Sequence, residues 1–313
     1  DWLCYSTKDM KNWTKHGVIQ HYTSFDWARG EAWATQVVKR HGKYWHYVTV
    51  VTKGPWQRAI GVAVSDSPTG PFRDAIGKPL VVDATTPSPY FGDDIDPTVL
   101  VDDDGTAWLA LGNPVCHIAK LKDNMIELDG GFRTIQPPNY TEGPWLMKRN
   151  GIYYLIYVSH IRQGWPEKIS YGTAKSIEGP WTWHRLLTGP AENSHGIHPA
   201  VSEFKGQWHF FYHNGVLNLP DGQKGSSERR SVCAEYLYFN PDGTIQPIVQ
   251  TKEGLDLPPK TAEQVAAAFV PETRVQPGGS EPGVAVTETA IQSMFHTFEE
   301  MDADTWEGVP VFS

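Results

Sequence analysis

The stretch PTVLVDDDGTAWLALG, residues 97–112, reads as an apolar strand, a turn built on Gly105 and a second apolar, aromatic-containing strand. That is the pattern of a β-hairpin. The same phrase returns as TQVVKRHGKYWHYVTV from Thr35, PWLMKRNGIYYLIYVS from Pro144 and PAVSEFKGQWHFFYHN from Pro199, turning at Gly42, Gly151 and Gly206. Successive copies start 62, 47 and 55 residues apart. A four-stranded unit repeating at roughly 40–50 residues, with the excess in loops, predicts the blades of a β-propeller. The fold class expected is therefore all-β, a five-bladed propeller whose first blade is incomplete in this chain.

A second repeat supports the first. AIGVAVSDSPTGPFRDA follows the hairpin of blade two, and KISYGTAKSIEGPWTWHRL follows that of blade four. Blade two is expected over about 33–75, blade three over 96–134, blade four over 141–189 and blade five over 198–251. Residues 1–20 read as the second half of blade one, with WLCYSTKDM as an inner strand and NWTKHGVI as the strand outside it. Residues 82–95 (VDATTPSPYFGDDI) and 216–228 read as long loops. The propeller is expected to end at residue 254. The tail, 255–313, has helical propensity at TAEQVAAAF (261–269), a linker-like RVQPGGSEPG (274–283) and a possible amphipathic helix at 289–301.

Composition narrows the function. The net charge is −9 and no basic run occurs, which argues against nucleic acid as a partner. No apolar stretch approaches the ~18 residues of a membrane span. Three widely spaced cysteines, Cys4, Cys116 and Cys233, give neither a disulfide framework nor a paired-cysteine metal site. The 13 Trp, 13 Tyr and 12 Phe suit packed sheets and sugar-binding platforms alike.

The repeat also locates candidate chemistry. Asp96, Glu142 and His198 sit at the mouth of three copies. First strands of propeller blades line the central channel, so these three should converge. Alone, Asp96 reads as an ordinary strand start before proline, Glu142 as a loop acid and His198 as a core histidine. Together the two carboxyls form the minimal apparatus for cleaving a glycosidic bond. Burial and the neighbouring charge of Asp96 should keep Glu142 protonated. A neutral His198 could hold a water or a cation. Of Arg229 and Arg230, at most one points inward, because they alternate along a strand. DDDG at 102–105 is the hairpin turn of blade three, since it lacks the spacing of a calcium loop.

EAWATQV, DDIDPTVLVDDDGTAWLALGN, KLKDNMIELDG, TEGPWLMKRNGIYYLIY, EFKGQWHFFYHNG and RRSVCAEYLYFNPDGTI, in this order, resemble glycoside hydrolase family 43 over roughly residues 2–255. The resemblance implies a five-bladed propeller of inverting enzymes, among them β-xylosidases, α-L-arabinofuranosidases and endo-arabinanases. It implies Glu142 as general acid, Asp96 as the residue that tunes and orients it, and Arg230 as a contact to the innermost sugar. It implies His198 as a residue under the channel that helps hold a calcium or other cation. Trp33 and Trp145 are expected to grip the pentose. The third acid, the general base, is expected at the mouth of blade one, upstream of residue 1. The expected partner is a xylo- or arabino-oligosaccharide, with no nucleic acid and no membrane. A polysaccharide substrate favours an extracellular or periplasmic location, and a cytoplasmic one is compatible with imported oligosaccharides. A sugar-binding pseudoenzyme lacking the base, an endo-arabinanase and a retaining hydrolase of fructosides stay open as alternatives.

Overall fold

The computed structural model describes residues 1–160, 166–184 and 186–269. They form five antiparallel sheets that follow one another along the chain. Sheet one pairs β1 (Trp2–Thr7) with β2 (Trp13–Gln20). Sheet two holds β3 (Ala28–Gly30), β4 (Thr35–Arg40), β5 (Lys43–Thr52), β6 (Arg58–Ser65) and β7 (Arg73–Asp74). The ten-residue β5 is long enough to pair with β4 over its first half and β3 near its end. Sheet three runs β8 (Thr98–Val101), β9 (Ala107–Leu111), β10 (Cys116–Leu121) and β11 (Arg133–Ile135). Sheet four runs β12 (Tyr140–Arg149), β13 (Ile152–His160), β14 (Glu167–Ala174) and β15 (Thr182–Trp183). Sheet five runs β16 (Ala200–Phe204), β17 (Gln207–Asn214) and β18 (Ser231–Leu237). This succession is an all-β propeller arrangement.

The hairpins form where the repeat places them. At three of the four turns both central residues have positive φ: His41 and Gly42 (50° and 72°), Asn150 and Gly151 (50° and 72°), Lys205 and Gly206 (52° and 80°). That backbone twist matches the twist of the flanking strands, so each turn closes a tight two-residue hairpin. The expected outer strand of blade five is reduced to a single bridge, Phe239 with Ile245.

Side chains alternate across each strand, and the core follows that period of two. In β13, Tyr154, Ile156 and Val158 pack toward sheet five, against Val201 and Phe210. Leu155 and Tyr157, between them in sequence, pack toward sheet three, against Ala110 and Ile118. Leu109 and Leu111 face sheet two with Tyr47 and Ile60. Trp2 and Ile19 of sheet one meet Val48 and Val50 of sheet two. The core is thus four apolar layers, each between consecutive sheets. Between sheets five and one, Lys205 Nζ donates to the Lys8 carbonyl at 2.7 Å.

The helix expected over 261–269 is observed as α1 (Ala262–Ala267), capped by Thr261, whose hydroxyl accepts from the Gln264 N–H at 3.3 Å. Gln246 Nε2 donates to the Val265 carbonyl at 2.7 Å and ties this segment to the last sheet. The linker and second helix expected beyond 273 lie outside the described residues. Among the described residues no helix is long and apolar enough to cross a membrane.

Leu155 is fully buried between two sheets, and Val249 is 74 % exposed. Leu155→Ala is expected to lower unfolding stability by about 2–5 kcal/mol. Val249→Ala is expected to stay within about 0.5 kcal/mol of the parent. Urea titration followed by tryptophan fluorescence measures both.

Candidate active site

Inner strands of neighbouring sheets diverge too far to pair, so their free backbone groups are satisfied by side chains. Gln36 Oε1, from β4, accepts the N–H of Val99 in β8. Thr98 Oγ1, from β8, accepts the N–H of Leu146 in β12 at 3.2 Å. Asp96 belongs to the same set. Its N–H donates to Thr49 Oγ1 at 3.0 Å, and its Oδ2 accepts the N–H of Gly143 at 3.1 Å. The aspartate is held in the left-handed region, φ 59°, which Asp tolerates better than most residues.

Glu142 is turned toward Asp96 by irregular pairing. Register shifts flank it on both sides, between Tyr140 and Glu142 and between Glu142 and Trp145. Such bulges re-aim a side chain. Gly143 has φ 56°, and a Cβ there would stand 2.9 Å from Val158 Cγ2 and 3.1 Å from His198 Cε1. Only glycine lets His198 come this close to the strand. As a result Asp96, Glu142 and His198 present one carboxylate oxygen or ring nitrogen each, all within 4.8 Å of one another. The sequence repeat placed them at three equivalent strand starts, and the fold brings them together.

The electrostatics divide the roles. Burial pushes Asp96 up to about 6, opposed by Arg230, the Gly143 N–H and Arg58. Glu142 is raised by burial first and the Asp96 charge second, against the opposing pull of His198, Arg230 and Asn113. Burial pulls His198 down to about 4 despite Glu142, so its imidazole is neutral at pH 7. Asp96 is mostly ionised at that pH, and its charge favours a proton on Glu142.

Glu142 opens onto a cleft of about 410 Å³ walled by Trp33, Arg58, Tyr90, Phe91 and Asn113. Asp96 lies beneath, 6 % exposed, and is not part of the wall. Arg58 stacks over Trp33, its guanidinium carbon 4.1 Å from the ring centroid. Trp145 is not among these residues; it packs on the core layer that contains Met147 and Tyr154. Arg230 stands just before β18, half-buried, and its charge acts on Asp96, Glu142 and His198. Arg229 turns the other way and donates to the Lys224 carbonyl.

Three residues escaped the sequence reading. Asn113 Nδ2 donates to Glu142 Oε2 at 2.6 Å. Arg58 braces the cleft, with Nη1 donating to the Gly92 carbonyl at 3.1 Å. Glu167 is buried and raised well above the usual carboxylate range, by burial first and Glu142 second. A signal for them existed. Glu167 opens the third strand of sheet four, Arg230 immediately precedes the third strand of sheet five, and Arg58 opens β6, which is third in its blade when counted from β4. A third strand runs in the direction of the first, so its start lies at the same end of the blade.

A propeller that gathers buried carboxyls beneath an aromatic- and arginine-walled cleft has the architecture of a glycosidase. The chain belongs to the glycosyl hydrolases family 43, whose model matches residues 1–245. It is 33 % identical over 269 residues to a β-D-galactofuranosidase of Aspergillus niger, covering 80 % of this chain and 75 % of that protein. It is 32 % identical over 286 residues to an arabinoxylan arabinofuranohydrolase of Bacillus subtilis, covering 80 % of this chain but 55 % of that protein. Among solved structures, an α-L-arabinofuranosidase from Clostridium thermocellum superposes with a TM-score of 0.67 at 34 % identity, covering 80 % of this chain and 82 % of that one.

Asp96 is buried and its pKa is raised, so its ionisation opposes folding. The native state holds the proton up to about pH 6 and the unfolded chain only to about pH 4, so this contribution weakens stability as pH rises through that window. Asp96→Asn is therefore expected to be more stable than the parent at pH 8, by on the order of 1–3 kcal/mol, and to lose that advantage near pH 4. Denaturation curves at the two pH values measure it.

Proposed function

We propose that this propeller serves an inverting glycosidase that removes terminal arabinofuranosyl or xylosyl residues from xylan- or arabinoxylan-derived saccharides. One observation carries the reading: of two carboxyls within 4.8 Å, half-buried Glu142 reaches the cleft and buried Asp96 does not. Two carboxyls that flank a glycosidic bond and admit a water stand about 6.5–9.5 Å apart. Asp96 and Glu142 are too close for that, so they are not the acid and base of one reaction. Their spacing and burial suit an acid and the anion that keeps it protonated.

In this mechanism Glu142 donates its proton to the leaving oxygen. Asp96, fixed by Thr49 and Gly143, stays ionised and holds Glu142 in its acid form until transfer. Asn113 donates to Glu142 and stabilises the carboxylate that transfer leaves behind. Trp33 offers a sugar-stacking face backed by Arg58, and Arg230 supplies charge at the floor. The base that activates water is an acid of the first blade, which the sequence reading puts upstream of Asp1. Glu167 is a poorer base, since burial favours its protonated form.

Three finer points belong to the same proposal. Sheet one takes the place of a fifth blade. A calcium or other cation in the channel would be held by His198, not by direct ligation to Glu142, which would hold that group ionised and remove the acid. Secretion brings the protein to its polysaccharide.

Glu142→Gln is expected to lower kcat on unactivated glycosides about 10²–10⁴-fold, and far less on aryl glycosides with good leaving groups. The assay uses the protein extended upstream of Asp1, with arabinofuranosyl and xylosyl substrates. A variant that keeps its full rate removes Glu142 as the acid. Proton NMR of the first-formed sugar should show inversion at the anomeric carbon; retention refutes the mechanism. In the same protein, Asp96→Asn is expected to move the alkaline limb of kcat to lower pH, because the neighbouring charge that raises Glu142 is gone.

A further inference from the structure

A second acidic cluster lies outside this chemistry. Asp83, Asp93 and Asp94 bring one carboxylate oxygen each to within 4.8 Å of the others. All three belong to the loop that leads into Asp96. Asp94 is fully buried and Asp93 is 4 % exposed.

The hydrogen bonds sort the oxygens into two sets. Asp83 Oδ1 accepts the Gly92 N–H at 2.9 Å, and Asp93 Oδ2 accepts the Ser88 hydroxyl. Each of these carboxylates is thus oriented through one oxygen. The other oxygens, Asp83 Oδ2 and Asp93 Oδ1, are buried with no hydrogen-bond partner, and so are both oxygens of Asp94. The buried Thr86 hydroxyl stands near enough to Asp94 to pull against its upward shift, but makes no hydrogen bond of normal geometry. No lysine or arginine forms an ion pair with any of the three among the described residues.

Four orphaned carboxylate oxygens in one buried pocket are costly, since each unpaired buried charge loses its hydration without return. Burial and the charge of Asp93 accordingly push Asp94 up to about 7. Oxygen donors alone, without nitrogen or sulfur, select a hard cation over zinc or copper. Calcium binds oxygens at about 2.3–2.6 Å, so ligands on opposite sides of it stand about 4.6–5.2 Å apart. The observed spread of the three carboxylates lies within that reach.

We propose that Asp83, Asp93 and Asp94 form a calcium site, separate from the channel beneath Glu142. The ion ties the two ends of the 83–94 loop to one point. Between those ends lie Tyr90 and Phe91, 53 % and 66 % exposed, which form the rim of the cleft. Phe91 rests on Trp56, ring centroids 5.8 Å apart. The bound ion therefore sets the position of an aromatic wall at the sugar-binding cleft.

Equilibrium dialysis against calcium, with the parent chain, His198→Ala and Asp94→Asn, tests this. The parent and His198→Ala are expected to retain one calcium per chain that Asp94→Asn has lost or binds at least tenfold more weakly. Thermal unfolding gives a second readout. Calcium should raise the Tm of the parent and of His198→Ala, and should raise that of Asp94→Asn clearly less than that of the parent. In EDTA, Asp94→Asn should melt above the parent, because a buried, uncompensated carboxylate is gone. Circular dichroism checks folding, and Asp83→Asn replaces Asp94→Asn if the latter fails to fold. A parent chain that binds no calcium overturns the proposal. So does a folded Asp94→Asn with unchanged calcium binding, or loss of all calcium in His198→Ala.

Discussion

The inner strands of this propeller do not pair with one another, and the arrangement depends on how their backbone groups are satisfied. Between sheets two and three the bridge is Gln36 to Val99. Between sheets three and four it is Thr98 to Leu146. Asp96 is a member of the same series, accepting from Gly143 where Thr98 accepts from Leu146. A structural requirement thus places a carboxylate at the axis, next to Glu142. The carboxylate proposed to tune Glu142 and the inter-sheet bridge are one side chain.

That double use explains the tension in the site. A neutral group would bridge as well and cost less to bury. The carboxylate is retained where its charge acts on Glu142, and neighbouring cations limit the expense. Arg230 and Arg58 both draw Asp96 down from where burial alone would put it, while Arg230 and Asn113 do the same for Glu142. The balance leaves Asp96 ionised at neutral pH and Glu142 raised, two carboxyls within 4.8 Å whose environments push them apart.

The hairpins were legible because turn chemistry is local. Positive φ at His41–Gly42, Asn150–Gly151 and Lys205–Gly206 needs only those residues. The convergence of Asp96, Glu142 and His198 was legible because a repeat converts distant positions into equivalent ones. Arg58 and Glu167 obey the same equivalence, at the starts of β6 and β14, but a charged residue opening a strand looks like a solvated end. Trp145 was misleading for a related reason. It was expected to grip the pentose with Trp33, yet a register shift lies between Glu142 and Trp145, and Trp145 packs against the core. Bulges are set by packing across the sheet and leave little trace in residue type. The cleft wall at Tyr90 and Phe91 lies on a loop without a repeat partner, so no equivalence could place it.

Asn113 shows how closely these parts are linked. Its backbone N–H donates to the Asp93 carbonyl at 3.0 Å, and the N–H of Gly112 donates to the Ile95 carbonyl at 2.9 Å. These two bonds hold the segment just before Asp96 against the end of β9. On the far side of Ile95, the Asp96 N–H is held by Thr49. The peptide unit entering Asp96 is therefore held at both its carbonyl and its N–H, and the Asp96 side chain is held by the Gly143 N–H, which is the condition for such strain to persist. The side chain of the same Asn113 reaches Glu142. One residue thus fixes the strand entry that aims Asp96 and contacts the carboxyl that Asp96 tunes. Displacing the loop ahead of Asp96 would move both acids, so the order of that loop and the protonation of Glu142 are not independent properties of this fold.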